Sequence, residues 1–458
     1  MASAVTAASQ TSSQAAPAAS AHASGADRAA VIRKVSLRLI PFLFVLYICN
    51  YLDRINVGFA ALSMNRDLQL TATAYGLAGT IFYTGYVACE IPSNLLMARF
   101  GARVWLSRIM ITWGLASAAT MLAVDATSLY GARFLTGVFE AGFVPGVLLY
   151  LTYWFPESHR ARANGLLMVA QPVAMAVGAT VSGLILDGTN GVLGLQGWRW
   201  MFLIEGAPAV ILGVIAVFYL TNRPGEAHWL DPGEAGALDA MLQADRARAA
   251  GTGRRPSVMS QLMDTRVVLL ALAYFALVNT LNATSTWGPT IVREVMQAYS
   301  LTQVGLVAAV APVCTIIAMP LWGLSSDRHG ERVGHLSAAL MLAAVGWMIV
   351  IAASHPLGRM LGLCGATAGA FSSMVVFWTL PQKLLSVEAR PAGIGLINAV
   401  GILGAAVSPA VIGWLRDLTG NFAAGLFYAA TLLIVSMILV WMATRERGFA
   451  FGGTKSVS

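Results

Sequence analysis

The chain has 458 residues, of which 57% are hydrophobic and only 11% are charged, and its mean hydropathy is +0.69. Soluble domains carry about 25% charged residues, so this chain has too few charges to cover a water-exposed surface. The composition excludes an ordinary soluble protein and indicates that the lipid bilayer is the solvent for much of the chain.

The hydrophobic residues fall into twelve segments, each close to the roughly 20 residues that a transmembrane helix needs. In chain order we predict spans at residues 36–60, 75–97, 104–123, 128–153, 163–186, 200–221, 267–290, 302–323, 334–353, 358–382, 392–415 and 422–443. The strands of a membrane β-barrel would instead alternate over segments of about ten residues. The predicted fold class is therefore an all-α membrane protein with twelve transmembrane helices.

Most Lys and Arg residues fall on one side of these spans when the N-terminus is placed inside the cell. This positive-inside bias predicts a multi-pass protein of the cell inner (plasma) membrane with both termini in the cytoplasm. The net charge of +8 is then a signal of topology, and we expect no nucleic-acid binding. Residues 1–32 are predicted to be a disordered cytoplasmic tail, and residues 444–458 a second cytoplasmic tail.

The spans divide into two pseudo-symmetric six-helix bundles, at residues 33–221 and 267–443, joined by a Pro- and Gly-containing cytoplasmic linker at residues 222–266. The halves repeat at an offset of about 230 residues, since Asp187 in the segment GLILDGT reappears as Asp417 in GWLRDLT. Parallel halves of this kind hold their substrate at the interface near the membrane midplane. The repeat therefore predicts a solute transporter.

Ionisable residues inside the predicted spans are few, and each is a functional candidate because a charge in the bilayer is costly. Span 1 contains Asp53 and Arg54, and span 4 contains Arg133 and Glu140, seven residues apart and thus on one helix face. Structural ion pairs are the alternative interpretation of these residues. Glu205, near the outer end of span 6, is expected to be an interfacial cap or a partner of Arg199.

Arg54 and Arg133 are the predicted carboxylate receptors, because a guanidinium stays charged when desolvated and binds a carboxylate with two parallel hydrogen bonds. Asp53 and Glu140 are the predicted proton carriers, because burial favours the protonated carboxyl while a nearby arginine favours the ionised form. With both acids ionised the four charges sum to zero, so a substrate anion adds one unbalanced negative charge. Protonation of either acid removes that charge, which predicts proton coupling and leaves open which acid carries it.

Uncharged side chains are predicted to complete the substrate site, with donors and acceptors for hydroxyl groups and an apolar wall. These predicted substrate contacts are Tyr51, Tyr83, Gln171, Asn282, Ser373, Phe377, Trp378 and Asn398. At the repeat offset, the second half carries no charge in the positions equivalent to Asp53, Arg54, Arg133 and Glu140. We therefore expect the first half to bind proton and carboxylate, and the second half to supply uncharged contacts.

Several motifs resemble those of known carriers. Residues 323–332 have the pattern Gly-x-x-x-Asp-Arg-x-Gly-x-Arg, similar to the loop motif of the major facilitator superfamily, whereas Asn94 and Ala98 replace its Gly and Asp in the first half. The segments YLDRIN (51–56) and RFLTGVFEAG (133–142) resemble signatures of its anion:cation symporter family. GWRW at 197–200, continuing to Glu205, and WTLP at 378–381 are similar to that family too. The resemblance covers residues 33 to 447.

The resemblance implies the major facilitator fold and a secondary active transporter that imports a small organic anion by proton symport with alternating access. Tartrate-like hydroxy acids and sugar acids are the implied substrates, and the matching charged positions serve the roles described above. An aromatic-acid/proton symporter, a drug/proton antiporter of the same fold and a non-transporting membrane receptor are alternatives. We expect a monomer in the lipid bilayer that is not an enzyme and needs no metal or cofactor.

Overall fold

In a computed structural model of the protein, residues 25–250, 262–385 and 389–445 are described, and these residues form helices without any strand. The predicted tails and linker lie partly outside the described residues, at 1–24, 251–261 and 446–458. The first helix begins at Gly25, so residues 25–32, which the sequence placed in a disordered tail, are helical. The all-α membrane fold is confirmed.

The first half contains eight helices. They are α1 (Gly25–Asp67), α2 (Ala72–Phe100), α3 (Ala102–Ala119), α4 (Ala126–Glu140), α5 (Phe143–Trp154), α6 (Glu157–Met168), α7 (Ala170–Gly188) and α8 (Gly197–Tyr219). The linker helix α9 (Pro232–Ala250) follows and is held to α1 by an ion pair between Lys34 and Glu234, with 2.5 Å from Nζ to Oε2. A stacked pair of Trp154 and Trp229 adds a second contact between linker and bundle.

The second half repeats this arrangement. Its helices are α10 (Thr265–Val295), α11 (Leu301–Ala308), α12 (Val310–His329), α13 (Val333–Ala352), α14 (Pro356–Phe377), α15 (Thr379–Leu384), α16 (Arg390–Thr419) and α17 (Ala423–Arg445). Ten segments of the described chain are long and apolar enough to cross a membrane. Helices α2 and α3 fall outside that set but pack within the first bundle, α2 against α4 and α3 against α8.

Four of the predicted spans are divided into two helices each: α4 with α5, α6 with α7, α11 with α12, and α14 with α15. In each case a proline follows the break, at Pro145, Pro172, Pro312 and Pro381. A proline ring clashes with the carbonyl four residues earlier and offers no N–H, so the hydrogen-bond ladder ends there. Between α4 and α5 the break also uses Gly142, whose φ of +88° strongly favours glycine.

Hydrogen bonds join the two halves at the end of the molecule opposite Gly25 and Arg445, which we call the far end. There the Asp417 carboxylate accepts the N–H groups of Ala72 and Thr73, at 3.1 and 2.7 Å, at the start of α2. Asp187 accepts the N–H groups of Leu301 and Thr302 at the start of α11, at 3.3 and 2.6 Å. Each repeated aspartate therefore caps a helix of the opposite half, where a negative charge is favourable.

The loop between α12 and α13, at the end of the motif of residues 323–332, contains an ion pair, with 2.6 Å from an Asp327 oxygen to Nη2 of Arg332. Beside it, Glu331 accepts the backbone N–H groups of Gly334 and His335 and caps the start of α13. Burial alone would raise the pKa of the Glu331 carboxyl, but these hydrogen bonds outweigh it, so the pKa lies below its usual value. In the first half, Asn94 instead donates to the Glu90 carbonyl of its own helix at 2.9 Å.

Glycines allow α13 and α14 to pack closely, and this contact gives a stability prediction. A β-carbon on Gly346 would lie 2.6 Å from the Gly362 carbonyl oxygen, whereas one on Gly365 would meet nothing closer than 3.6 Å. Overpacking of this kind costs about 1–3 kcal/mol. We expect Gly346→Ala to lower the thermal unfolding midpoint of the purified protein and Gly365→Ala to leave it unchanged or raised. Equal midpoints for the two variants would contradict this view of the contact.

Candidate substrate and proton site

A cavity of about 370 Å³ lies between the two halves. Helices α1, α2 and α4 of the first half and α10 and α16 of the second half form its walls, with the lining residues Arg54, Val57, Gly58, Tyr75, Gly79, Phe82, Tyr83, Arg133, Asn282, Thr286 and Pro409. The fold thus brings four of the predicted site residues, Arg54, Arg133, Tyr83 and Asn282, to one cavity.

Arg54 is already paired with an acid of the first half. Its Nε donates to Oε1 of Glu140 at 2.7 Å, and Nη2 lies 2.6 Å from the same oxygen. Asn50 Nδ2 donates to that oxygen as well, at 2.8 Å, while Oε2 of Glu140 is buried and accepts no hydrogen bond in the described structure. Glu140 is the last residue of α4, directly before the break of span 4, so its carboxyl lies where two helices meet.

Arg133 is buried, with 4% of its surface exposed, and among the described residues no acid pairs with it and no acceptor binds it. Its guanidinium carbon lies 4.5 Å from the centre of the Phe82 ring, and this cation–π contact holds the side chain in the cavity. The Arg54 guanidinium carbon is 5.8 Å from the same ring. Since Arg54 and Glu140 neutralise each other, Arg133 is the cavity guanidinium that no acid of the described structure contacts directly.

Asp53 faces the other way, into the first bundle. Its carboxylate accepts hydrogen bonds from Trp113 Nε1 at 2.5 Å, Ser117 Oγ at 2.7 Å and Asn56 Nδ2 at 3.1 Å. Adjacent helical residues diverge by about 100°, so Asp53 and Arg54 cannot both face the cavity. Asp53 therefore contacts neither the cavity nor the Arg54–Glu140 pair directly.

The remaining predicted residues lie outside this cavity. Tyr51 stacks on Tyr47 at 5.6 Å and has its ring centre 5.7 Å from the Arg54 guanidinium carbon. Gln171 is buried and faces the Tyr47 hydroxyl. The others belong to the second half. Ser373 Oγ donates to the Ala370 carbonyl of its own helix at 2.7 Å, and Phe377 and Trp378 pack on Tyr274. Asn398 is half-buried and makes no hydrogen bond to any described residue.

Three of the residues that were missed from the sequence make polar or ring contacts at the site, and two of these three had a signal. Asn50 lies four residues before Arg54 and hence on the same helix face. Phe82 stands next to the predicted Tyr83, and arginines commonly lie over aromatic rings. Tyr75 had no such signal, because its hydroxyl bridges the Val57 and Thr286 carbonyls, at 3.2 and 3.1 Å, only when the two halves are assembled.

The interpretation of Glu205 as a partner of Arg199 was wrong. Glu205 is 5% exposed and accepts a hydrogen bond from Ser182 Oγ at 2.7 Å. Arg199 instead donates to the Met121 carbonyl and lies over the Trp198 ring. The two side chains point in different directions because they are six residues apart on α8, which is not a multiple of the helical repeat.

Comparison with known proteins agrees with this architecture. Residues 43–299 and 292–451 match the family model described as Major Facilitator Superfamily. The chain belongs to this superfamily. The resemblance found in the sequence is thus confirmed, and the protein is a membrane transporter and not an enzyme.

Relatives with named functions are similar to this chain over most of its length. A protein of Agrobacterium vitis named for tartrate transport is 43% identical over 415 residues, which cover 91% of this chain and 95% of that protein. A quinolone resistance transporter of Acinetobacter baumannii is 39% identical over 412 residues, covering 90% and 94%. The solved structure of a bacterial homologue of the human lysosomal transporter Spinster, inward-facing and occupied, has a TM-score of 0.71 at 16% identity, covering 89% and 96%, and shows the fold alone.

One hydrogen bond crosses the cavity and gives a conformational prediction. Tyr83 donates to Asn282 Oδ1 at 2.9 Å and joins α2 to α10. Tyr428, by contrast, accepts from Asn279 at 3.0 Å within the second half. A net contribution of about 0.5–1.5 kcal/mol per hydrogen bond corresponds to a population change of about 2- to 12-fold.

We expect Tyr83→Phe to shift this facilitator toward states in which the far end is open, whereas Tyr428→Phe does not. Spin labels on the exposed Val192 and Asn421, at the far end of the two halves, report the change as a distance distribution. The same distribution for Tyr83→Phe and the unchanged protein would contradict a closing role for this hydrogen bond.

Proposed function

We propose that this protein imports a small organic anion together with protons, by alternating access, across the cell inner membrane. In this proposal both termini are cytoplasmic, so the far end faces the outside of the cell, and the carrier works as a monomer. The observation that supports it best is Arg133, a buried guanidinium in the cavity between the halves, without an acid on it among the described residues.

Arg133 is the proposed carboxylate receptor. A buried, uncompensated positive charge is costly, and a carboxylate with two acceptor oxygens fits the planar guanidinium fork. Tyr83 and Asn282 lie in the same cavity and offer a hydroxyl and an amide to hydroxyl groups of the substrate. A tartrate-like hydroxy acid combines these groups, in agreement with the relative named for tartrate transport.

Glu140 is the proposed proton site in the cavity, and its ion pair explains the coupling. When Glu140 is ionised, it occupies the guanidinium of Arg54. Protonation of Glu140 removes that charge and frees Arg54 for a second carboxylate or for the same one. Proton and anion therefore stabilise each other at the site. With Asp53 ionised, the charges of the two acids and the two arginines sum to zero, so either ligand alone leaves an unbalanced buried charge.

The far-end contacts support alternating access. The Asp187 and Asp417 caps join the halves at that end, and Thr80 Oγ1 adds a 2.6 Å hydrogen bond to the Ala406 carbonyl. In the proposed orientation this is an inward-facing arrangement, suited to release of the substrate. The predicted contacts of Tyr51, Gln171, Ser373, Phe377, Trp378 and Asn398 remain predictions, which we assign to other stages of the cycle.

Drug export is a second candidate, because one relative is named for quinolone resistance. A proton antiporter would expel its substrate when protons enter, whereas a symporter accumulates it. The sign of the substrate flux under an inward proton gradient in proteoliposomes therefore separates the two functions. The positive charge of Arg133 favours an anion as the substrate in either case.

The Arg133 assignment predicts a loss of substrate binding. Hydrogen bonds to charged groups contribute about 1.5–3 kcal/mol, so Arg133→Ala is expected to weaken tartrate binding about 10- to 150-fold. Arg133→Lys keeps the charge but loses the fork, and we expect an intermediate affinity. The thermal shift of the purified protein with tartrate or a sugar acid measures this, with Arg223→Ala, an exposed arginine, as the control. Equal affinity of Arg133→Ala and the control would refute the assignment.

The Glu140 assignment predicts a separation of accumulation from exchange. Glutamine has the shape of the protonated acid but cannot release a proton, so Glu140→Gln is expected to lose accumulation driven by a proton gradient and to keep counterflow exchange. Glu294→Gln, which breaks a partly exposed pair with Arg416 at 3.1 Å, is the matched control. Normal accumulation by Glu140→Gln would remove Glu140 from coupling. If the unchanged protein accumulates substrate to the same extent with and without a proton gradient, the proposal of proton coupling itself is wrong.

A further inference from the structure

A second group of buried polar side chains lies inside the first bundle, on the side of α1 that faces away from the cavity. Its members are Asp53 and Asn56 on α1, Trp113 and Ser117 on α3, Ser182 on α7 and Glu205 on α8. All six are at most 5% exposed. Two of them are carboxyls, and the substrate site described above makes no use of Glu205.

The two carboxyls differ in their hydrogen bonds. Asp53 accepts three, and two of its partners, the Trp113 indole and the Asn56 amide nitrogen, can only donate. This environment is suited to an ionised carboxylate. Glu205 accepts one hydrogen bond on Oε1, from the Ser182 hydroxyl, while its buried Oε2 has no donor in the described structure.

Asn56 lies between the two acids. Its Nδ2 donates to Asp53 at 3.1 Å, and its side chain also lies within hydrogen-bonding range of Glu205. The buried Oδ1 of Asn56, like Oε2 of Glu205, accepts no hydrogen bond from a described residue. A buried carboxylate oxygen without a donor is costly, and protonation of the Glu205 carboxyl removes the charge that Oε2 would otherwise carry unpaired.

The charges around this group also favour one proton. The groups that act electrostatically on Glu205 are Asp53, Asn56 and Ser182, none of which is a cation. Those that act on Asp53 from α4 are Glu140 and Arg133, of which only Arg133 is positive. With both acids ionised, two negative charges would be buried on either side of one amide, at a large desolvation cost.

We propose that Glu205 and Asp53, joined by Asn56, form a second proton-binding site inside the first bundle, which holds one proton on Glu205 and is charged and discharged during transport. The proposal rests on proton-coupled transport as the proposed function and adds Glu205 to it. In this site Asp53 is the carboxyl that interacts electrostatically with the cavity, through Arg133.

Arg133 connects this site to the substrate. While Arg133 is unpaired, its positive charge stabilises the ionised Asp53. A carboxylate bound to Arg133 cancels that charge, so the Asp53–Asn56–Glu205 group retains protons more strongly when the substrate is present. Binding of an anion in the cavity and protonation in the bundle are therefore linked, and linkage of this kind is reciprocal.

Infrared difference spectroscopy of the full-length protein in liposomes tests the protonation state directly. A buried protonated carboxyl has a carbonyl stretch that an ionised carboxylate lacks. We expect such a band in the unchanged protein, its loss in Glu205→Gln, and its retention in Glu226→Gln, an exposed glutamate after α8. A band that is unaltered by Glu205→Gln, or no band in any of these proteins, would overturn the proposal.

Transport by the same variants tests the charging and discharging. Glu205→Gln keeps the shape and neutrality of the protonated acid, so it should fold and keep counterflow exchange but lose most gradient-driven accumulation. Ser182→Ala, which removes the hydroxyl donor on Oε1 of Glu205, should shift the pH dependence of accumulation toward higher pH, because the protonated form becomes easier to keep. Normal accumulation by Glu205→Gln would overturn the transport role.

The two proposals fail in different ways. If the unchanged protein does not respond to a proton gradient, the proposed symport itself is wrong. If the unchanged protein and Glu226→Gln accumulate substrate with the gradient, Glu140→Gln does not, and Glu205→Gln behaves normally, only the second proton site is wrong. The variant Glu205→Ala removes the bulk of the side chain as well as its charge. Loss of counterflow exchange in Glu205→Ala but not in Glu205→Gln therefore reports a packing defect.

Discussion

The buried ion pair of Arg54 and Glu140 organises the substrate cavity. It joins α1 to the end of α4 at the break of span 4, and it leaves Arg133 as the charge without a partner among the described residues. In a low-dielectric interior a charge without a direct partner is costly. In the proposed function an organic anion supplies that partner and a proton restores the balance of charge, so binding and coupling have the same electrostatic origin.

Helix α1 separates two polar environments. Arg54 lies on its cavity face among aromatic rings, whereas Asp53 lies on its bundle face among donors from α3. Adjacent residues of a helix must diverge in this way, and the divergence places one charge at the cavity and the other inside the first bundle. Electrostatic interaction between Asp53 and Arg133 connects the two environments.

The repeat of the two halves has a structural role that is distinct from the chemistry. Asp187 and Asp417 occupy equivalent positions, and each caps a helix of the opposite half at the far end. The nearby Gly183 and Gly413 allow the helices to approach, since a β-carbon on Gly183 would lie 2.7 Å from the Leu301 carbonyl oxygen. Symmetry thus closes the far end, while the charged cavity residues all belong to the first half.

The sequence by itself determined the membrane fold, and it predicted the two halves and the charged residues of the candidate site, because hydropathy, repeat spacing and rare buried charges are visible along the chain. Only the tertiary structure decided which charges meet. It paired Glu140 with Arg54 rather than Arg133, turned Asp53 away from the cavity, and placed Glu205 beside Asn56. Side-chain partners depend on helix rotation and on contacts between distant segments, which linear spacing does not fix. The sequence also does not determine which prolines divide a helix. Pro92 and Pro208 lie inside continuous helices, whereas Pro172 and Pro312 follow breaks.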